Sequence, residues 1–183
     1  MDAKLAGADH VDSEPNAPER PLLAALARAG VASTDLEPAE IELFRVTIAG
    51  QAFAIESDLV HEVVRTPPIT PLPGAPPFLV GVAAHRGLVV PVVDLARLLG
   101  RGQTELSGRS RMAIGRADGM VVALLADEVV GLSRFPARAL RSAPLGAEGA
   151  EFILGVIFEG GSLNILDLRR ALAAARERAI ARK

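Results

Sequence analysis

FLVGVAAHRGLVVPVVDLARLLG, residues 78–100, holds two strand-like apolar runs, one charged turn and one short helical segment. Phe78 to Ala83 is apolar apart from glycine, and Leu88 to Val93 is apolar and rich in valine. His85, Arg86 and Gly87 are the polar interruption between them. β-branched residues suit a pleated surface, and a glycine beside a charged pair supplies a chain reversal, so the pattern predicts strand, turn, strand. Asp94 then stands at an N-cap position, Leu95, Leu98 and Leu99 fall on one helical face, and Gly100 is the stop signal. The helix is expected to be short, about one and a half turns.

The arrangement recurs in FILGVIFEGGSLNILDLRRAL, which starts at Phe152. Phe152, Gly155 and Val156 match Phe78, Gly81 and Val82. After a one-residue slip at the turn, Asp167, Leu168, Arg170 and Leu172 match Asp94, Leu95, Arg97 and Leu99. Upstream, LVHEVVR from Leu59 parallels LADEVVG from Leu125. The chain therefore reads as an internal duplication of two β-rich units of about 70 residues each, and two related barrels are expected.

A chain of 183 residues can bury roughly 70% of its unfolded surface, so a core without disulfides is feasible. Half of the residues are apolar, but the only aromatics are six phenylalanines, so Val, Leu, Ile and Ala must build that core. The absence of cysteine excludes disulfides, thiolate metal sites and cysteine nucleophiles. The N-terminus lacks a basic region followed by an apolar one, and no apolar run approaches a membrane helix, so a cytoplasmic location is expected. Net charge is −2, lysine is nearly absent, and neither a basic face nor aromatic stacking platforms stand out. Nucleic acid is not an expected partner.

Residues 1–38 are expected to form a polar, disordered tail followed by a short helix in PLLAALARAG, from Pro21. Its Leu22, Leu23 and Leu26 stripe suits a helix capping a barrel mouth; a partner-binding appendage is the alternative. Ala39 to Ile48 alternates as a strand, with a tight turn at Gly50-Gln51 into Ala52 to Ile55. Ser57 to Arg65 can begin as a helical turn at Ser57 and end as strand, which the sequence does not decide. The six prolines between Thr66 and Phe78 predict an extended connection, because prolines cannot sit inside a ladder. Arg101 to Ser110 reads as a flexible loop between units. Met112 to Arg116 and Met120 to Leu125 are predicted strands around an Asp118-Gly119 turn. Phe135 to Gly149 is again punctuated by Pro and Gly, and a last helix starts at Asp167, with 176–183 its basic end.

The chain contains no HExxH, no GxSxG, no Walker loop and no glycine-rich dinucleotide turn. Asp58, His61 and Glu62 are the nearest approach to a metal or acid–base cluster, but adjacent residues face different sides of a strand or helix. A small metal- or His-dependent hydrolase is thus the distant alternative, and no metal or cofactor is expected. Arg86 is the residue to watch: a forked guanidinium in an exposed turn suits a partner's carboxylate or carbonyls. It can equally bond carbonyls of its own turn. The second unit has Glu159 or Gly160 at the corresponding place.

GQAFAIESDLVHEVVR followed by PLPGAPPFLVGVAAHRGLVVPVVDLARLLG resembles the CheW-like domain of bacterial chemosensory systems. The Glu-Val after the second strand, Pro-x-Phe-x-x-Gly-Val, the Arg-Gly turn and Pro-Val-Val-Asp-Leu recur in the family's order. The resemblance spans about residues 39–175, with units of about 39–105 and 106–175. It implies a mainly β fold of two intertwined five-stranded SH3-like barrels with short helices and a C-terminal helix. It also implies a non-catalytic adaptor joining a CheA-type histidine kinase, through that kinase's regulatory domain, to the cytoplasmic tip of methyl-accepting chemoreceptors. The array of membrane receptors would then be reached through partners. Val60, Glu62, Gly81 and Arg86 fall on family positions tied to receptor or kinase coupling, and His85 adjoins them. The sequence departs where the family usually reads Asn-Leu-Arg-Gly and this chain has Ala84-His85-Arg86-Gly87. That departure and the long N-terminal segment favour a non-flagellar chemosensory pathway, such as twitching motility or cyclic-di-GMP control, as the alternative. Neither a receiver nor a kinase domain is expected beside the barrels.

Overall fold

The computed structural model describes residues 40–108, 110–117, 119–143 and 150–181. The expected tail and first helix, Asp118 and the basic end at 182–183 lie outside them. β1 (Glu40–Ile48) and β2 (Gln51–Glu56) form the opening hairpin. Ile48 pairs with Gln51, so its two-residue turn is Ala49-Gly50, one residue earlier than expected; both have positive φ, as such a tight hairpin turn demands. Ser57–Leu59 is a single 3-10 turn and β3 is Val60–Arg65, so the stretch begins as a helical turn and ends as strand. β4 (Leu79–His85), β5 (Leu88–Asp94) and the helix α1 (Leu95–Leu98) follow as predicted. The second half runs β6 (Arg111–Ala117), β7 (Met120–Ala126), β8 (Glu128–Pro136), β9 (Leu140–Ser142), β10 (Ile153–Phe158), β11 (Ser162–Leu166) and the helix α2 (Leu168–Ile180).

Among the described residues these strands form a six-stranded sheet, β8-β1-β2-β11-β10-β9, and a five-stranded sheet, β3-β6-β7-β5-β4. Each sheet is a hairpin from one half completed by strands from the other. β3 leaves β1–β2 to pair with β6, and β8 leaves β6–β7 to pair with β1. Two short parallel ladders, β5 with β7 and β11 with β2, complete the exchange. The mainly β, intertwined architecture is as expected, but the units of about 39–105 and 106–175 do not coincide with the two sheets. A duplicated sequence repeats the order of its strands; which hairpin each strand joins is decided by where its apolar face is buried.

Three apolar clusters follow from this exchange. Ala83, Val90, Val92, Met112, Ile114, Ala123 and Leu125 fill the five-stranded barrel. Ile41, Leu43, Ala54, Phe135, Leu140, Ile157, Leu163 and Ile165 fill the six-stranded one. The third and largest lies between them, where Phe44, Phe53, Leu59, Leu124 and Phe152 meet Leu95, Leu98, Leu168 and Leu172 of the helices. Each helix is capped by the predicted aspartate: Asp94 Oδ1 accepts from Ala96 N at 2.9 Å, and Asp167 Oδ1 from Arg170 N at 3.0 Å. The duplication extends to the backbone, since Asp94 N donates to Phe78 O at 2.8 Å and Asp167 N to Phe152 O at 2.7 Å.

Asp94 does more than cap. Its Oδ2 accepts from Thr104 N at 3.0 Å and its Oδ1 from the Thr104 hydroxyl at 2.8 Å, so the segment of residues 101–108 is pinned through the buried Thr104. The flexible loop expected there is anchored, because a buried carboxylate with capacity left after capping must find donors.

The proline-rich connection is the first half's version of β9. β9 pairs with β10 over Gly155, Val156 and Ile157; in the first half only Thr70 pairs, donating to Val82 O at 2.8 Å and accepting from Val82 N at 2.9 Å. Pro68, two residues before Thr70 on the same edge, has no N–H to extend the ladder, and Pro71 follows Thr70 directly, so a strand shrinks to one bridge. The crossing segment lies so close that a Cβ on Gly81 would strike the Thr70 carbonyl, and one on Gly155 would strike the Arg141 carbonyl. Gly81 also has a φ of 154°, which side chains rarely adopt.

Gly81→Ala is therefore expected to destabilise the protein by roughly 2–4 kcal/mol in urea unfolding, from strain and overpacking together. Asp94→Ala is expected to cost about 2–3 kcal/mol, more than an ordinary cap, and to increase protease cleavage within residues 101–110.

Candidate functional site

β3 and β4 are the two ends of the five-stranded sheet, and they meet at a seam closed by side chains. Glu62 comes from β3, where a register shift between Val60 and Glu62 leaves His61 in a bulge. His85 is the last residue of β4, and Arg86 opens the turn to β5. The Arg86 guanidinium lies 2.9 Å from Glu62 Oε2, and His85 Nε2 lies 3.4 Å from the same oxygen. These contacts bridge two strands that share no ladder.

Arg86 opens a two-residue turn, as Ala49 does between β1 and β2. His85 pairs with Leu88, so only Arg86 and Gly87 make the reversal, with φ of 47° and 79°. Such a turn favours Asn or Gly at its first position, and a left-handed arginine costs roughly 1–2 kcal/mol. The side chain that accepts this strain is 74% exposed, whereas Glu62 is 31% and His85 14% exposed. An ion pair this open contributes little to stability.

An apolar strip adjoins it. Ala84 pairs with Val89 and Val82 with Pro91, so these residues share the outward face of the β4–β5 hairpin. No charge interrupts them, although the water-facing side of an antiparallel hairpin usually alternates polar residues. Val89 is 74% exposed and Leu88, at the barrel mouth, 59%. Guanidinium beside exposed aliphatic surface is the composition of a protein contact site.

Of the residues singled out from sequence, Glu62, His85 and Arg86 converge. Val60 does not join them; it is half-buried and packs against the cluster between the barrels. Gly81 is buried against Thr70, where its lack of a side chain is a packing requirement. Asp58 faces Arg169 at 4.0 Å and His61 is exposed in the bulge, so neither joins Glu62. No group of three His, Cys, Asp or Glu able to hold a metal ion occurs among the described residues. No described helix is long and apolar enough to cross a membrane.

Sequence reading missed Val89, because a continuous apolar run conceals which alternate residues reach water. It also missed Phe158, 71% exposed beside the turn that corresponds to Arg86's, and Val130 and Leu132 on β8. The mismatch of Phe158 with Ala84 in the repeat was the available signal.

The profile of the family described as CheW-like domain matches residues 42–176. The chain belongs to the CheW-like family. It is 38% identical over 147 residues to Protein FrzA of Myxococcus xanthus, covering 78% of this chain and 92% of that one. It is 31% identical over 130 residues to Chemotaxis protein CheW of Rhizobium meliloti, covering 69% and 84%. The fold matches that of the scaffolding protein TtCheW from Thermoanaerobacter tengcongensis with a TM-score of 0.67 at 24% identity, over 76% of this chain and 92% of that one. The resemblance read from the CheW-like motifs and the mainly β, two-barrel fold it implied are both borne out.

Because the Arg86 partner of Glu62 is open to solvent, Glu62→Gln is expected to change unfolding free energy by less than about 1 kcal/mol. The turn should loosen nonetheless, which faster amide exchange at Arg86 and Gly87 would register.

Proposed function

We propose that this CheW-like protein is a non-catalytic adaptor that couples chemoreceptors to a CheA-type histidine kinase. The observation that carries the reading is the strained, exposed Arg86, paired across the seam with Glu62 and flanked by the uncharged strip of Val82, Ala84, Val89 and Pro91. The guanidinium and Glu62 contact the helical cytoplasmic tip of the receptor. Apolar barrel surface docks on the kinase's regulatory domain. Coupling is passive: the receptor's signalling states contact the adaptor differently, and that difference biases the kinase. The alternative of a non-flagellar pathway gains from the relatives: besides FrzA, the chain is 32% identical over 111 residues to Protein PilI of Pseudomonas aeruginosa, covering 60% of this chain and 62% of that one.

Calorimetric titration with a receptor cytoplasmic hairpin and, separately, with a kinase regulatory domain tests the reading. Dissociation constants on the order of micromolar are expected. Arg86→Ala should weaken receptor association about tenfold or more while the thermal melt stays within a few degrees of the parent. Unchanged receptor association with a folded variant would sink the assignment of the seam.

A further inference from the structure

We propose that the leucine stripe ahead of β1 docks on the outer face of β8 in the same chain, with Leu22, Leu23 and Leu26 covering Val130 and Leu132. The proposal does not depend on the adaptor reading. It starts from an apolar patch that the two barrels leave open. β8 is the end strand of the six-stranded sheet and is nine residues long. Val130 is 55% and Leu132 60% exposed on it. Leu132 stands opposite Phe44 in the ladder, and Phe44 belongs to the apolar layer between the barrels. The register shift between Arg45 and Val46 leaves Val130 as the extra residue of β8, next to Val129, which packs on the same layer. Val130 and Leu132 therefore prolong a buried surface into solvent. The Arg134–Glu42 pair, at 3.1 Å, borders it on the side toward the start of β1.

A long apolar end strand invites pairing with other chains, and native proteins blunt or cover such edges. The bulge at Val130 interrupts the regular row of free backbone groups, which disfavours an added strand. The side chains still call for an apolar cover, and a helix face supplies one without backbone pairing. What lies nearest is fixed by the start of β1: Glu40 pairs with Pro136, at the far end of β8 from Glu128. Leu132 is four residues back along β8 from there and Val130 six, about 13 and 20 Å at the rise of a strand. Leu26 precedes Glu40 by fourteen residues, a connection able to span roughly 45 Å. Residues 21–30 lie outside the described residues; read from sequence as a short helix, they place Leu22 and Leu26 about 6 Å apart on one face. That is close to the roughly 6.8 Å between alternate residues of a strand. No charged residue interrupts Pro21 to Ala27. A tether of this kind holds the stripe at an effective concentration on the order of millimolar, so a weak apolar contact suffices.

The chain has no cysteine, so Ala24→Cys gives a single attachment site for a nitroxide spin label, on the side of the stripe away from the leucines. In the labelled full chain, the methyl resonances of Val130 and Leu132 are expected to lose most of their intensity, while those of Leu88 and Val89 on the other barrel keep theirs. Adding Leu22→Asp and Leu26→Asp to the same labelled chain should restore the Val130 and Leu132 signals, with the resonances of both sheets otherwise in place. Loss that survives the two aspartates comes from the tether alone and overturns the leucine contact. No loss, or loss only at Leu88, Val89 or Phe158, overturns the docking site. A mixture of spin-labelled chain with isotope-labelled parent lacking the cysteine separates one chain from two. Intensities there should be unchanged, and loss would overturn docking within the chain in favour of a second copy.

Discussion

The apolar layer between the two barrels is the constraint from which the rest of the structure follows. It collects Phe44 and Phe53 from one sheet, Leu124 and Val93 from the other, and the inner faces of both helices. Such a layer closes only if each hairpin lends its neighbour the strands it lacks. Hence β3 and β8 leave the hairpins that precede them in the chain, at Ser57–Leu59 and at Asp127. Burial of this shared surface makes the two halves one cooperative body, because neither hairpin can keep its outer strand without the other. The capping aspartates serve the same layer: they start α1 and α2 where the leucines of each helix reach it.

Closing the barrels leaves unequal seams. In the five-stranded barrel, the edge strand is reduced to the Thr70 bridge by prolines, and side chains close the gap that a ladder would have filled. Glu62, His85 and Arg86 are those side chains. Their placement is thus a product of the fold. The six-stranded barrel keeps β9, and at the corresponding turn carries Phe158 beside Glu159 and Gly160. The corresponding turns differ in length, two residues between His85 and Leu88 and three between Phe158 and Ser162, as well as in side chains.

Much of the candidate site was legible. Arg86 stood out as the charged residue of a turn between two apolar runs, and the CheW-like motifs pointed to Glu62 and Gly81 as well. What could not be read was their relation. Glu62 and Arg86 are far apart in the chain and come from opposite ends of one sheet, so no periodicity connects them. Gly81 shared their motif but has a different cause, the backbone of Thr70 pressing against it. Val89 was hidden inside a run that looked wholly buried. Thr104, in a segment that looked loose, is held by the second oxygen of a residue already explained as a cap.

The local elements were legible in the order of residues alone: the hairpins, the two capped helices, the proline-interrupted connection and the duplication. Each rests on interactions within a few residues, such as alternation, a turn that needs a positive φ, or a carboxylate beside free amides. Packing of the two halves set which strands share a sheet, which apolar residues remain exposed and which charges meet. Those outcomes depend on burying one common surface from both halves of the chain, and a surface shared by distant segments is written in no single stretch of them.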